Sequence, residues 1–125
     1  MSIKNGVQEI FSQKIVFNFK DENNKLHSET QYVFKDENSS VIYYDFKSES
    51  LLLDVCRYKN MSELKAEIRA FLQCKINEKY KLVSIVDCMD GNILDVKDLR
   101  DILTILKVNF KEQKNDNSNQ FIIIL

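Results

Sequence analysis

Three stretches near the N-terminus alternate apolar and polar residues with a period of two, and this pattern limits the fold more than any other feature. Ile15, Phe17 and Phe19 alternate with Val16, Asn18 and Lys20. Thr30, Tyr32 and Phe34 alternate with Gln31, Val33 and Lys35, and Ile42, Tyr44 and Phe46 with Val41, Tyr43 and Asp45. Successive strand residues point to opposite faces, so each set predicts a half-buried strand. The polar segments between them, Asp21–Lys25 and Asp36–Ser40, are short, which predicts an antiparallel three-stranded meander over 14–46. The chain has no Pro and only two Gly, Gly6 and Gly91, so its turns must rely on Asn, Asp and Ser.

Elsewhere the period is helical. Ile3, Val7, Ile10 and Phe11 predict a short N-terminal helix over 2–12, weakened by Gly6. Residues 48–58 fit either period, with Leu51, Leu52, Val55 and Cys56 favouring a helix. Asn60 with Glu63 forms a capping-box pattern ahead of the stripe Met61, Leu64, Ile68, Phe71 and Leu72, a helix over roughly 61–78. Leu82–Val86 is apolar on both faces, as an interior strand would be. Asp90-Gly91-Asn92 turns the chain, and Asp95 caps a second helix with the stripe Val96, Leu99, Ile102, Leu103 and Leu106. Lys111–Asn119 reads as a hydrated loop and Phe121–Leu125 as a closing strand. The expected fold is one α+β domain over 1–125. It has an N-terminal helix and an antiparallel three-stranded meander extended into a mixed sheet, packed by two main helices.

A chain of 125 residues that is 44% hydrophobic and 30% charged is the size of one domain and too apolar for disorder. No apolar run approaches the ~20 residues of a spanning helix, and no signal-peptide pattern opens the sequence. Cys56, Cys74 and Cys88 are odd in number and widely spaced. Reduced thiols and a cytoplasmic location are expected. Fifteen Lys against three Arg, with abundant Asn and Ile, suggests an AT-rich coding sequence of bacterial or phage type.

The familiar chemistries find little support. His27 is the only histidine and falls in a polar turn, with no nucleophile motif beside it. Paired Cys or His ligands at zinc spacing are missing, and two distant glycines cannot form a phosphate-cradling loop. No metal and no cofactor is expected. One enzymatic pattern remains as an alternative. Asp45-Phe46-Lys47 ends the third expected strand, and Glu9 or Asp36 could add a second carboxylate. The order of a helix, a three-stranded meander, a helix and a strand is similar to the core of the PD-(D/E)xK nuclease superfamily. That likeness implies a Mg²⁺-dependent nuclease using Asp45 and Lys47. Acid–x–Lys is a cheap pattern, however, and recurs at Glu63/Lys65, Asp95/Lys97 and Glu112/Lys114.

Charge is nearly balanced, 18 basic residues against 19 acidic for a net −1, which disfavours nucleic acid as a partner. The most one-sided stretch places Asp87, Asp90, Asp95, Asp98 and Asp101 against only Lys97 and Arg100. It implies an acidic rim formed by Asp87, Asp90, Asp95 and Asp98, with Tyr43 as an aromatic anchor, meeting a basic protein partner. The expectation is a small protein-binding domain of the immunity or inhibitor type, with no catalytic residues. A structural or regulatory subunit of a homo-oligomer is a further alternative.

Overall fold

The alternation that predicts the first strand is realised without change. In a computed structural model, which describes residues 11–35, 42–45, 55–58, 60–88, 94–115 and 118–124, Phe11–Lys20 forms β1. Its odd-numbered side chains Ile15, Phe17 and Phe19 are fully buried. Leu26–Lys35 (β2), Ile42–Asp45 (β3) and Val55–Tyr58 (β4) continue the meander, followed by a helix, Met61–Asn77 (α1). Lys81–Cys88 (β5), the helix Val96–Ile105 (α2), Asn109–Asn115 (β6) and Ser118–Ile124 (β7) complete the described order.

The seven strands form one sheet in the order β4-β3-β2-β1-β5-β7-β6, and every neighbouring pair is antiparallel. The sheet is therefore not mixed. The excursion through α1 returns the chain as β5 beside β1 but running against it, so no parallel crossover is made. Both helices cover the same face. The inward positions of β1, β2, β5 and β7 share one core with Leu64, Ile68 and Leu72 of α1 and Leu99, Ile102 and Leu103 of α2, the stripes expected from their spacing. Phe71 of α1 meets Phe17 and Phe19 edge-on, with ring centres 5.5 and 6.2 Å apart.

The helix ends are strongly marked. Asn60 caps α1 by accepting the Glu63 N–H at 3.0 Å. At α2 the box is reciprocal: Asp95 accepts from the Asp98 N–H, and Asp98 accepts from the Asp95 N–H. Both helices stop in the same way, with Lys79 (φ 77°) and Lys107 (φ 61°) in the left-handed region. Tyr80 and Val108 then donate back to the carbonyls of Lys75 and Leu103.

Four expectations need correction, each for a physical reason. Phe11 and Ser12 belong to β1, not to a helix; residues 1–10 lie outside the described residues. Val55–Tyr58 is a strand, because β3 offers it an unpaired edge and tertiary pairing overrides the ambiguous period. In β2 Gln31 and Val33 are buried and Thr30 is only half-buried, the reverse of the expected alternation, while the side chains of Tyr32 and Phe34 lie outside the described residues. The turn Asp21–Lys25 pairs Lys20 with Leu26, so odd residues of β1 face odd residues of β2, and one residue of register inverts a strand's faces. Asp21 holds that turn by accepting the N–H groups of Asn23 and Lys25. Finally, most of Lys111–Asn119 is not loop but the hairpin of β6 and β7. An edge strand needs no apolar alternation, since most of it remains in contact with water.

The one-sided core makes a direct prediction. Ile68→Ala should cost about 2–5 kcal/mol, whereas Leu26→Ala, at a position 63% exposed, should change stability by less than about 0.5 kcal/mol. Urea unfolding of the two variants beside the parent checks this.

Candidate functional site

The acidic rim expected from the sequence does not assemble as a surface. Asp87, at the end of β5, faces the helices with only 2% of its area exposed. It accepts a hydrogen bond of 2.9 Å from the Gln13 side-chain amide. Gln13, itself 2% exposed, also donates to the Leu94 carbonyl at 2.8 Å and accepts the Leu94 N–H at 2.7 Å. This node fastens the segment entering α2 to the end of β1. Burial pushes the Asp87 carboxyl above its ordinary range, against the opposing pull of the Gln13 hydrogen bond. Asp95 is exposed, and Asp98 shares Lys65 with Asp101 at 3.5 and 3.1 Å. The hydrogen bond from Lys65 to Asp101 leads in raising the pKa of that lysine. Asp90 and the side chain of Tyr43 lie outside the described residues.

At the opposite end of the sheet, the β1–β2 hairpin carries a second polar group. The His27 ring donates from Nε2 to Asp21 at 2.8 Å and meets Tyr80 edge-on, with centres 5.4 Å apart. That bond, followed by the Lys25 N–H, holds the Asp21 carboxyl down to about 2. Lys75 reaches from α1 to pair with Glu29, and its ammonium lies over the rings of Phe19, Phe71 and Tyr80 at 5.0–5.9 Å. These contacts bolt the hairpin to α1. A histidine aligned by a carboxylate can move a proton, but the bonded partners of this one are structural, and among the described residues no serine or cysteine completes a relay.

What stands out is the face that neither described helix covers. The even-numbered positions of β1 point there, and the registers extend them into rows across the sheet. One row runs Thr30, Val16, Val86, Gln120, Gln113, and the next Ser28, Asn18, Ser84, Ile122, Lys111. Ser28 donates to Asn18 at 2.5 Å, and Asn18 donates to Ser84 at 3.0 Å, so the second row is tied together. Val16, Thr30, Val86, Gln120 and Ile122 are half-buried by their neighbours alone. This surface is legible in the sequence once the inward set of β1 is known, because Lys14 and Lys20 sit on its polar side. Gln13 was the residue missed: a polar side chain in step with Ile15, Phe17 and Phe19.

Among the described residues no three His, Cys, Asp or Glu side chains converge as metal ligands, and no helix is long and apolar enough to cross a membrane. The candidate nuclease residues Glu9, Asp36, Lys47 and the side chain of Asp45 lie outside the described residues. The observed order also departs from that family's core, because β4 intervenes between the meander and α1.

Two predictions follow from the buried polar groups. An unfolded Asp titrates near 3.8, and the folded value of Asp87 lies above it. Between the two values the folded state holds a proton that the unfolded chain releases. Stability from this group therefore falls as pH rises through that window, and the penalty is complete above it. Asp87→Asn keeps the oxygen that accepts from Gln13, so it should raise stability at neutral pH and flatten this slope, as pH-dependent thermal melts would record. Gln31 is 0% exposed, and neither its side-chain oxygen nor its nitrogen has a hydrogen-bond partner. Gln31→Leu should therefore stabilise the fold by about 1–3 kcal/mol, read by urea unfolding. Compared with known proteins, the chain matches no family model, no curated protein and no solved structure.

Proposed function

We propose that this chain is a small cytoplasmic protein-binding domain of the immunity or inhibitor type, acting by docking rather than by chemistry of its own. The observation that carries this reading is the uncovered sheet face. On β1, β2, β5 and β7 the described side chains of its two central rows are uncharged and include the β-branched Val16, Thr30, Val86 and Ile122, and lysines appear towards its margins. Protein interfaces share that anatomy, with charge depleted at the centre and a polar rim around it. Antiparallel sheets tolerate water on one face, so the exposure is stable in the free protein and available to a partner. Of the four acids expected to bind, Asp87 is removed by burial and Asp98 is occupied by Lys65. The contact surface is therefore assigned to the sheet in place of the acidic rim.

Two native thiols report on the two layers. Cys88 is half-buried on the uncovered face, next to Lys14 and Ser118, while Cys74 is exposed on α1. Alkylation of both can be read site by site by mass spectrometry, in cells carrying the native gene and on the purified chain. Docking through the sheet should lower the ratio of Cys88 to Cys74 labelling in cells relative to the purified protein. An unchanged ratio would remove the sheet face from the interface.

A further inference from the structure

We infer that the uncovered sheet face recognises an acidic protein surface, the reverse of the partner charge expected from the sequence. This rests on the docking reading above and specifies its partner. Four lysines frame the neutral rows of that face: Lys14 near one end of β1, Lys20 and its neighbour Lys81 at the other, and Lys111 on the edge strand β6. Lys14, Lys81 and Lys111 are exposed and Lys20 is half-exposed, and none of them joins an ion pair among the described residues.

The acids with described side chains are elsewhere; Asp45 of β3 takes a register position opposite Tyr32, in the row of Lys14. Glu29 and Glu112 occupy inward strand positions and pair with Lys75 and Arg100 of the helices. Glu63, Glu67, Glu78, Asp95, Asp98 and Asp101 belong to the helical layer, Asp87 is buried, and Asp21 and Glu22 form the β1–β2 turn. No carboxylate with a described side chain lies on the uncovered face. A net charge near zero thus conceals a molecule with one basic-framed face and one mixed, largely self-paired layer.

This distribution selects among occupants. A second copy stacked face to face would set lysine frames against each other, and like charges opposed across an interface are costly. A single-stranded nucleic acid would want a basic surplus to neutralise its phosphates, and this chain carries 18 basic residues against 19 acidic. An acidic protein surface satisfies both parts, with its carboxylates meeting lysines at the hydrated margin and its neutral side chains packing on Val16, Val86 and Ile122.

An octaglutamate peptide is a suitable probe, titrated at low salt into the isotope-labelled full chain and followed by amide NMR, with an oligothymidylate of equal length as its counterpart. Peptide-induced shifts should cluster at Lys14, Val16, Lys81, Val86 and Lys111 and fade as salt is added. Lys14→Glu with Lys111→Glu should weaken the peptide by about tenfold, while Lys97→Glu with Lys107→Glu, in the helical layer, should not. Shifts confined to the helical layer, equal losses in both double variants, or tighter binding of the oligothymidylate would overturn the inference. So would a dimer strengthened by Lys14→Glu with Lys111→Glu, which would identify a second copy as the occupant. If Cys88 is protected in cells but octaglutamate leaves the face untouched, the acidic partner fails and docking stands. An unprotected Cys88 removes docking itself.

Discussion

The antiparallel ladder between β1 and β5 is the interaction on which the rest of the structure depends. It joins the N-terminal meander of β1 to β4 to the C-terminal unit of β5, β7 and β6, two groups of strands that share no other ladder among the described residues. Each unit alone would be a small sheet with an apolar face and too little to cover it. Joined, they present Ile15, Phe17 and Phe19 beside Ile85 and Leu82, a surface wide enough to seat both helices. Gln13 extends the junction past the last paired residues by bonding Leu94 in both directions. Opposite the core, the same ladder aligns Val16 with Val86 and Asn18 with Ser84, so one pairing builds the centre of both faces.

Much of this was readable, and the failures have identifiable causes. The helices were legible because packing and capping agree: Leu64, Ile68 and Leu72 recur on one side, and Asn60 and Asp95 stand where the orphan N–H groups begin. Strand β1 was legible because its inward set is aromatic and branched. Strand β2 misled because Tyr32 and Phe34 are the bulkier residues, while its inward set includes Gln31, Glu29 and His27. The latter two are acceptable only because Lys75, Asp21 and Tyr80 meet them from other elements. Strand β6 runs Lys111, Glu112, Gln113, Lys114 and has no apolar alternation to find over that stretch; its strand character comes from β7.

The candidate site shows a limit of a different kind. Counting acids along the chain finds Asp87, Asp95, Asp98 and Asp101 close together, but strand and helix send them to different fates. Asp87 goes inward under α2, Asp95 caps a helix, and Asp98 and Asp101 share Lys65. The lysines of the open face are scattered along the chain from Lys14 to Lys111, 97 positions apart, and only the strand order gathers them. Surface charge here is a property of topology, which one-dimensional patterning does not carry.

The two lysine stops that end the helices bear on how far this fold lies from its own stability ceiling. A left-handed residue with a Cβ is less favourable than glycine by roughly 1–2 kcal/mol, and Lys79 and Lys107 each sit in that region where glycine is usual. The compensation at the first is local, since Tyr80 closes over Lys75 just beyond the stop. At the second, Val108 follows the stop and packs against the core. A chain with two glycines in 125 residues thus ends both helices on strained backbone. That strain is slack in the sequence: the fold tolerates it, and a glycine at either position would release it without touching the sheet or either of its faces.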